Sequence, residues 1–413
     1  MTPADYIDRH SGDLIRRLQR LVGFPTVNPP GDHYDGVTAW LTGELQALGV
    51  TARRHSIPER LLRRTLPEAQ WGYPRYNVLG KIRAPGARRT LHFNAHYDVV
   101  PVSGDWRHGS PFSGTVEGGW IYGRGTADMK GSIASVLLAV QALRATGARP
   151  RLNLEISFTA DEETDSELGT GWLVKHGPIA PDYAVVMEGG EGDKVCCGHN
   201  GTLWLEVILH GRPAHGSLPH KGINALEKMS ALVMALEDYK RMLARRAWRT
   251  PEGVTMRPTI NVGGVFDCGE GAKINTVPAL ARFTIDRRVL AVESHAAAER
   301  ELRAFLRQAA AAIPQCRIEV RKISENYSCF STPEHPFFTA MADCVARVRR
   351  RKARFNVSTG FNDMHFFSHH LQIPTLGYGP GGEDYHAVDE RAKVRELLAS
   401  AKIYAALMTE FPG

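Results

Sequence analysis

Long apolar runs are missing from this 413-residue chain. None approaches the roughly 18 consecutive apolar residues of a membrane span, so no membrane partner is expected. The opening MTPADYIDRHSGDLIRRLQRLV reads as an amphipathic helix, acidic then basic, without the apolar core of a signal peptide. Cysteine is scarce: Cys196, Cys197, Cys268, Cys316, Cys329 and Cys344 form no C-x-x-C pair, and adjacent Cys196 and Cys197 are poorly placed to bridge each other. Reduced thiols in a soluble, cytoplasmic protein are the expectation. No internal repeat or low-complexity tract is visible, which argues against a repeat array. Although Lys and Arg exceed Asp and Glu by 51 to 44, no regular aromatic interleave or nucleic-acid motif accompanies the basic residues. Solvated helix faces account for Arg60 to Arg64, Lys240 to Arg249 and Arg347 to Arg354, and no nucleic-acid partner is expected. The surplus of +7 could still draw in an anionic small molecule.

What is present has the proportions of an ordinary globular protein, 43% hydrophobic and 23% charged, at a length that suggests two domains. The periodicity predicts helices over 3–22, 36–48 and 130–146, and strands over 51–56, 77–82, 152–159 and 182–187. Residues 58–76 read as a long irregular loop. Strands alternating with helices imply an α/β sheet, and sites in such sheets lie past the carboxyl ends of the strands. From Gly198 the pattern becomes strand, helix, strand, strand, helix, strand, the βαββαβ order of a ferredoxin-like unit. The predicted architecture is therefore a catalytic α/β domain with a mixed, mainly parallel sheet (1–198 and 325–413), interrupted by an inserted ferredoxin-like domain (199–324).

The stretch LHFNAHYDVVP carries the first chemical signal. Leu91, Phe93 and Ala95 alternate as the buried side of a strand, which sets His96 and Asp98 two residues apart on the other side. A metal-bound histidine usually hands its second ring N–H to an outer carboxylate, and H-x-D supplies one. Other strand ends or loops carry Asp128 (GRGTADMKG), Glu162 and Glu163 (ADEET), Glu188 (MEGG) and His386 (DYHAVDE). Singly each has a plain explanation: Asp128 could cap the following helix, and His386 could pair with Asp389 or Glu390. Gathered at one sheet edge, uncompensated carboxylates would repel, and a cation resolves that. Two histidines and three carboxylates, one of them shared, suit two divalent ions about 3.5–4 Å apart. Mixed N/O ligation favours zinc, with manganese or cobalt as the other choices. Neighbouring Glu162 and Glu163 diverge, so one is expected to bind metal and the other to act as base. The glycine-rich GRGTADMKG is a poor phosphate loop, because an acidic residue stands where a dinucleotide fingerprint has glycine.

In order, HYDVVP, GRGTADMKG, ADEE, the Glu of MEGG, GRPAHGSLPHKGINA and GPGGEDYHAVDE resemble the dinuclear zinc hydrolases that include acetylornithine deacetylase, succinyl-diaminopimelate desuccinylase, aminoacylase and carboxypeptidase G. The resemblance implies that Asp128 bridges two ions, with His96 and Glu188 completing one site and Glu163 and His386 the other. It further implies that Asp98 orients His96, that Glu162 is the general base, and that the peptide from Asp128 to Met129 is cis. The reaction implied is amide hydrolysis by metal-activated water. His215 in GRPAHGSLP matches a histidine that stabilises the oxyanion from the partner subunit or on closure, and Asn275 and Arg288 match substrate contacts on the insert. Arg287 is the rival to Arg288. Gly360 and Gly381, in STGFNDMHFF and GPGGEDYHAVDE, are also counted as substrate contacts. The implied assembly is a homodimer through the insert, and the implied substrate an N-acyl amino acid or small peptide.

Two departures stand out. STGFNDMHFF replaces the family's Gly-Gly-Thr-Asp-like loop, and the long segment 58–76 carries Trp71 and Tyr73, which could line an aromatic pocket. Glu188, where related aminopeptidases tend to have aspartate, tilts the expectation toward a deacylase or carboxypeptidase. A dipeptidase, a hydrolase of an unusual aromatic amide, and a metal-free binding relative are the alternatives.

Overall fold

The computed structural model describes residues 1–269 and 272–413. The chain forms two compact units, one comprising Met1–Gly198, Ser331–Asn356 and Asn362–Gly413, the other His199–Phe330 and Val357–Phe361.

The first unit is built on a mixed sheet. Its strands lie in the order Thr51–Ser56, Tyr76–Ile82, Asn153–Thr159, Thr90–His96, Tyr183–Val186, Thr375–Gly377 and Lys194–His199. The middle four run parallel to one another. Parallel strands are buried on both faces, and Leu91–His96 is accordingly buried throughout. Behind the sheet the Ala-, Val- and Leu-rich helix Gly131–Thr146 is inaccessible over nearly its whole length and packs against the closing helix Val394–Glu410. A small three-stranded sheet, Thr115–Glu117, Trp120–Tyr122 and Arg391–Lys393, joins the segment before Asp128 to the segment after His386.

In the second unit, strands Thr259–Asp267, Leu280–Val289, Gly201–His210 and Arg317–Asn326 form an antiparallel sheet in that order. Burial alternates residue by residue along Leu280–Val289, so one face is apolar. Ala281, Phe283 and Ile285 on that face meet Leu232 and Leu236 of helix Ala225–Ala244 and Leu302 and Leu306 of helix His295–Ala312. The βαββαβ expectation agrees with this arrangement.

Three local expectations need correction. The helix expected over 3–22 is two helices, Pro3–Arg9 and Ser11–Val22, because the chain leaves helical geometry at His10 (φ −116°, ψ 29°). Residues 58–76 are not irregular throughout: Glu59–Thr65 is helical, with Glu59 pairing Arg63 one turn on and Leu62 buried. Trp71 is engaged in that local structure, its indole donating to the Leu66 carbonyl at 2.9 Å and its ring lying under the Arg63 guanidinium. Asp128 does not cap the helix after it; Lys130 occupies the N-cap, and the Asp128–Met129 peptide is cis.

Candidate metal centre

His96 ends its strand, Glu162 and Glu163 follow the strand Asn153–Thr159, Glu188 follows Tyr183–Val186, and His386 lies in the loop after Thr375–Gly377. All four strands are parallel, so their carboxyl ends open on one side, where Asp128 also arrives at the start of the buried helix.

The two oxygens of Asp128 face different histidines. Oδ1 lies 3.1 Å from His96 Nε2, and Oδ2 lies 3.4 Å from His386 Nε2. Glu188 Oε2 is 4.0 Å from His96 Nε2, and Glu163 Oε2 is 3.2 Å from His386 Nε2. Two triads result, His96–Asp128–Glu188 and Asp128–Glu163–His386, each with ligand atoms within 4.8 Å of one another. Glu162 turns away from His386 and leaves its Oε2 3.8 Å from His96 Nε2. His96 Nδ1 lies 3.1 Å from the Asp98 carbonyl, which can only accept, so Nδ1 keeps a proton and Nε2 is the nitrogen that would face a cation once its own proton has left.

The set fits divalent cations. Glu188 Oε1 is buried and meets no hydrogen-bond donor among the described residues. Burial pushes the carboxyls of Glu162 and Glu188 well up, helped by the charge of Glu188 on the first and of Asp128 on the second. Burial would also raise Asp128, but hydrogen bonds from His386 and His96 hold it far below the ordinary range. Asp128 and Glu163 in turn push His386 up to about 10. For His96 burial works downward, and Asp128 and Asp98 override it, so the imidazole stays protonated well above its ordinary range. Such a nest of mutually shifted acids and bases is what cations would discharge.

Asp98 is fully buried. Its carboxylate is 3.5 Å from His96 Nδ1 and also accepts the backbone N–H groups of Glu162 and Glu163, at 3.1 and 3.2 Å. Asn28 donates from its side chain to Asp98 at 3.1 Å, to Asp161 at 3.0 Å and to Thr164 at 2.8 Å. Nothing in the sequence around Asn28 marked it; a polar residue amid NPP reads as a turn. His386 pairs with neither neighbour considered for it, since Asp389 binds Arg107 and Glu390 binds Arg124. A cavity of about 240 Å³ adjoins the triads, lined by Asp128, Glu188, Glu191, Lys194, Gly381 and Tyr385 among others. Gly381 (φ +66°) lets the Glu191 carboxylate approach so closely that a Cβ would sit 2.1 Å from it.

His215, Asn275, Arg288 and Gly360 belong to the second unit. There His215 is exposed, its Nδ1 is 2.7 Å from Ser217 Oγ, and its backbone bridges to Thr276, beside exposed Asn275. Arg288 is half-buried against Asp286 at 2.9 Å. Arg287 is wholly buried and paired with Glu293 at 3.1 Å.

The family model described as peptidase family M20/M25/M40 matches residues 92–410. The chain belongs to that family. It is 30% identical over 335 residues to a succinyl-diaminopimelate desuccinylase of Afipia carboxidovorans, covering 78% of this chain and 83% of that one. Among solved structures, the M20 metallo-carboxypeptidase Sso-CP2 of Sulfolobus solfataricus superposes with a TM-score of 0.76 at 20% identity, covering 97% of this chain and 99% of that one. A dinuclear metal-binding M20 peptidase of Bacillus subtilis superposes with a TM-score of 0.71 at 14% identity, over 97% and 98% of the two chains. These superpositions establish a shared M20 fold, and the chain is an M20 hydrolase with a candidate His/Asp/Glu metal site.

Proposed function

We propose that this M20 hydrolase cleaves the amide bond of an N-acyl amino acid or similar small carboxylate, in the manner of a deacetylase or desuccinylase. The observation that carries the reading is the pair of triads sharing Asp128, with the Glu162 carboxyl, its side chain 13% exposed, beside them and outside both. His96 and Glu188 would hold one cation, Glu163 and His386 the other, and Asp128 both. Mixed imidazole and carboxylate ligation favours zinc over manganese or cobalt. When bound, two such cations polarise the scissile carbonyl and acidify water.

Glu162 then takes the proton at its carboxylate and returns it to the leaving nitrogen. Its burial favours the protonated form, while nearby cations favour the ionised one, and the balance suits a group that must do both. Asp98 fixes the tautomer of His96 and, through the two N–H groups it accepts, the direction of Glu162. A small carboxylate is supported by Lys194 on the cavity wall, whose ammonium pairs with no carboxylate among the described residues. The desuccinylase name of the Afipia relative agrees.

The insert serves in this reading as a lid and dimerisation domain, with His215 stabilising the oxyanion and Asn275, Arg288 and Gly360 contacting substrate. Exposed Val265, Phe266 and Ile274 on it supply apolar surface for a second copy. Among the described residues no helix is long and apolar enough to cross a membrane, and six cysteines without a disulfide among the described residues favour a cytoplasmic setting.

The test is a panel of N-acetyl and N-succinyl amino acids against dipeptides, with zinc content measured on the same sample. Turnover of the acyl compounds is expected. Dipeptides alone as substrates would replace the reading with a dipeptidase, and protein purified gently without metal would replace it with a binding protein.

A further inference from the structure

We infer that the buried Arg124–Glu390 pair is a positioning clamp for one cation site, the one formed by Asp128, Glu163 and His386. The inference rests on the two-cation reading above.

Glu390 is fully buried, and its two oxygens have different partners. Oε1 accepts the backbone N–H groups of Gly125, Ala127 and Asp128 at 3.0, 2.9 and 3.1 Å. Oε2 accepts from Arg124 at 2.6 Å. Arg124 is nearly as inaccessible as its partner, and its two terminal nitrogens also reach another loop: they donate to the carbonyls of His386 at 3.1 Å and Ala387 at 3.3 Å. One ion pair therefore ties the backbone that carries Asp128 to the backbone that carries His386, without touching a ligand atom of either.

Two features show that these loops need such a tie. Three N–H groups converging on one oxygen call for a full negative charge, which an amide oxygen does not supply. His386 sits in the left-handed backbone region (φ +59°), which a histidine keeps only where its surroundings over-determine it. Asp128 is common to both sites, but the other two ligands of the second site are fixed differently. His96 is the last residue of a ladder-bonded strand, and Glu188 follows one directly. Loosening the clamp thus frees Asp128 and His386 from each other and leaves the His96–Glu188 framework standing.

The test is titration of chelator-stripped, full-length protein with Co²⁺, by calorimetry and by the visible absorption of the bound ion. Wild type is expected to take up two ions. Glu390→Gln is expected to bind one as before and the second about 10- to 100-fold more weakly. Adding His386→Ala to Glu390→Gln should then lose little more, whereas adding His96→Ala should remove the remaining ion. Asp389→Asn is the matched control: Asp389 is equally buried one residue away but faces Arg107, so both ions should stay. Should Glu390→Gln not fold, Arg124→Lys, which keeps the charge and loses the reach to both carbonyls, carries the same expectation. Unchanged affinity for both ions in these variants, or equal weakening of both, overturns the clamp. Fewer than two ions in the wild type overturns the two-cation reading instead.

Discussion

Glu162 and Glu163 show how one residue's direction decides its chemistry. Side by side in sequence, they diverge, one toward His96 at 3.8 Å and the other to His386 at 3.2 Å. Glu162→Ala should lower turnover at least about 100-fold and leave two cations bound; metal analysis showing one ion lost would make it a ligand. The imidazoles support a second expectation. In the metal-free protein His386 is pushed up to about 10 and His96 is raised as well, so both carry protons at neutral pH. A cation needs the neutral ring, so binding must expel protons, and affinity must rise with pH up to about that value. Calorimetry in buffers of different ionisation enthalpy measures the expelled protons, and a buffer-independent heat would contradict the ligand assignment.

At the scale of elements, the ligand-bearing loops are held by buried ion pairs instead of regular hydrogen-bond ladders. Arg75, wholly buried just before strand Tyr76–Ile82, donates through Nε to Asp161 at 2.9 Å, and Asp161 immediately precedes Glu162 in left-handed geometry (φ +62°). The same guanidinium reaches the Tyr73 carbonyl at 2.6 Å, so it joins the segment 58–76 to the Glu162 turn. Removing one member of such a pair leaves an uncompensated buried charge, at a cost of about 3–5 kcal/mol. Arg75→Met should lower the urea midpoint accordingly, and a change below about 1 kcal/mol, the range of an exposed pair, would show the site hydrated. Helix and strand periods made the insert's order readable, because one face of each element must be apolar to pack. The helix Glu59–Thr65 escaped notice because its apolar stripe is short and its proline and arginine content resembles a loop.

For the whole molecule, cations that bind only the folded chain stabilise it by mass action, about 2.7 kcal/mol for one ion at a free concentration 100 times its Kd. Chelation should therefore lower the melting temperature measured by calorimetry, and an unchanged melt would mean that no cation is linked to folding. His215→Ala should slow turnover without altering metal content or melting, and an unaltered rate would remove His215 from the reaction. What the sequence determined by itself was the kind of residue and the period in which it recurs: an apolar strand ending in His96 and Asp98, acidic residues after later strands, and the βαββαβ order of the insert. Tertiary structure alone decided the pairings. Glu390 meets Arg124 across 266 residues and Asn28 meets Asp98 across 70, and no local pattern encodes a partner so far away. Periodicity is a property of neighbours in the chain, whereas the fit of a guanidinium between two loops exists only once the sheet has brought both loops to the same edge.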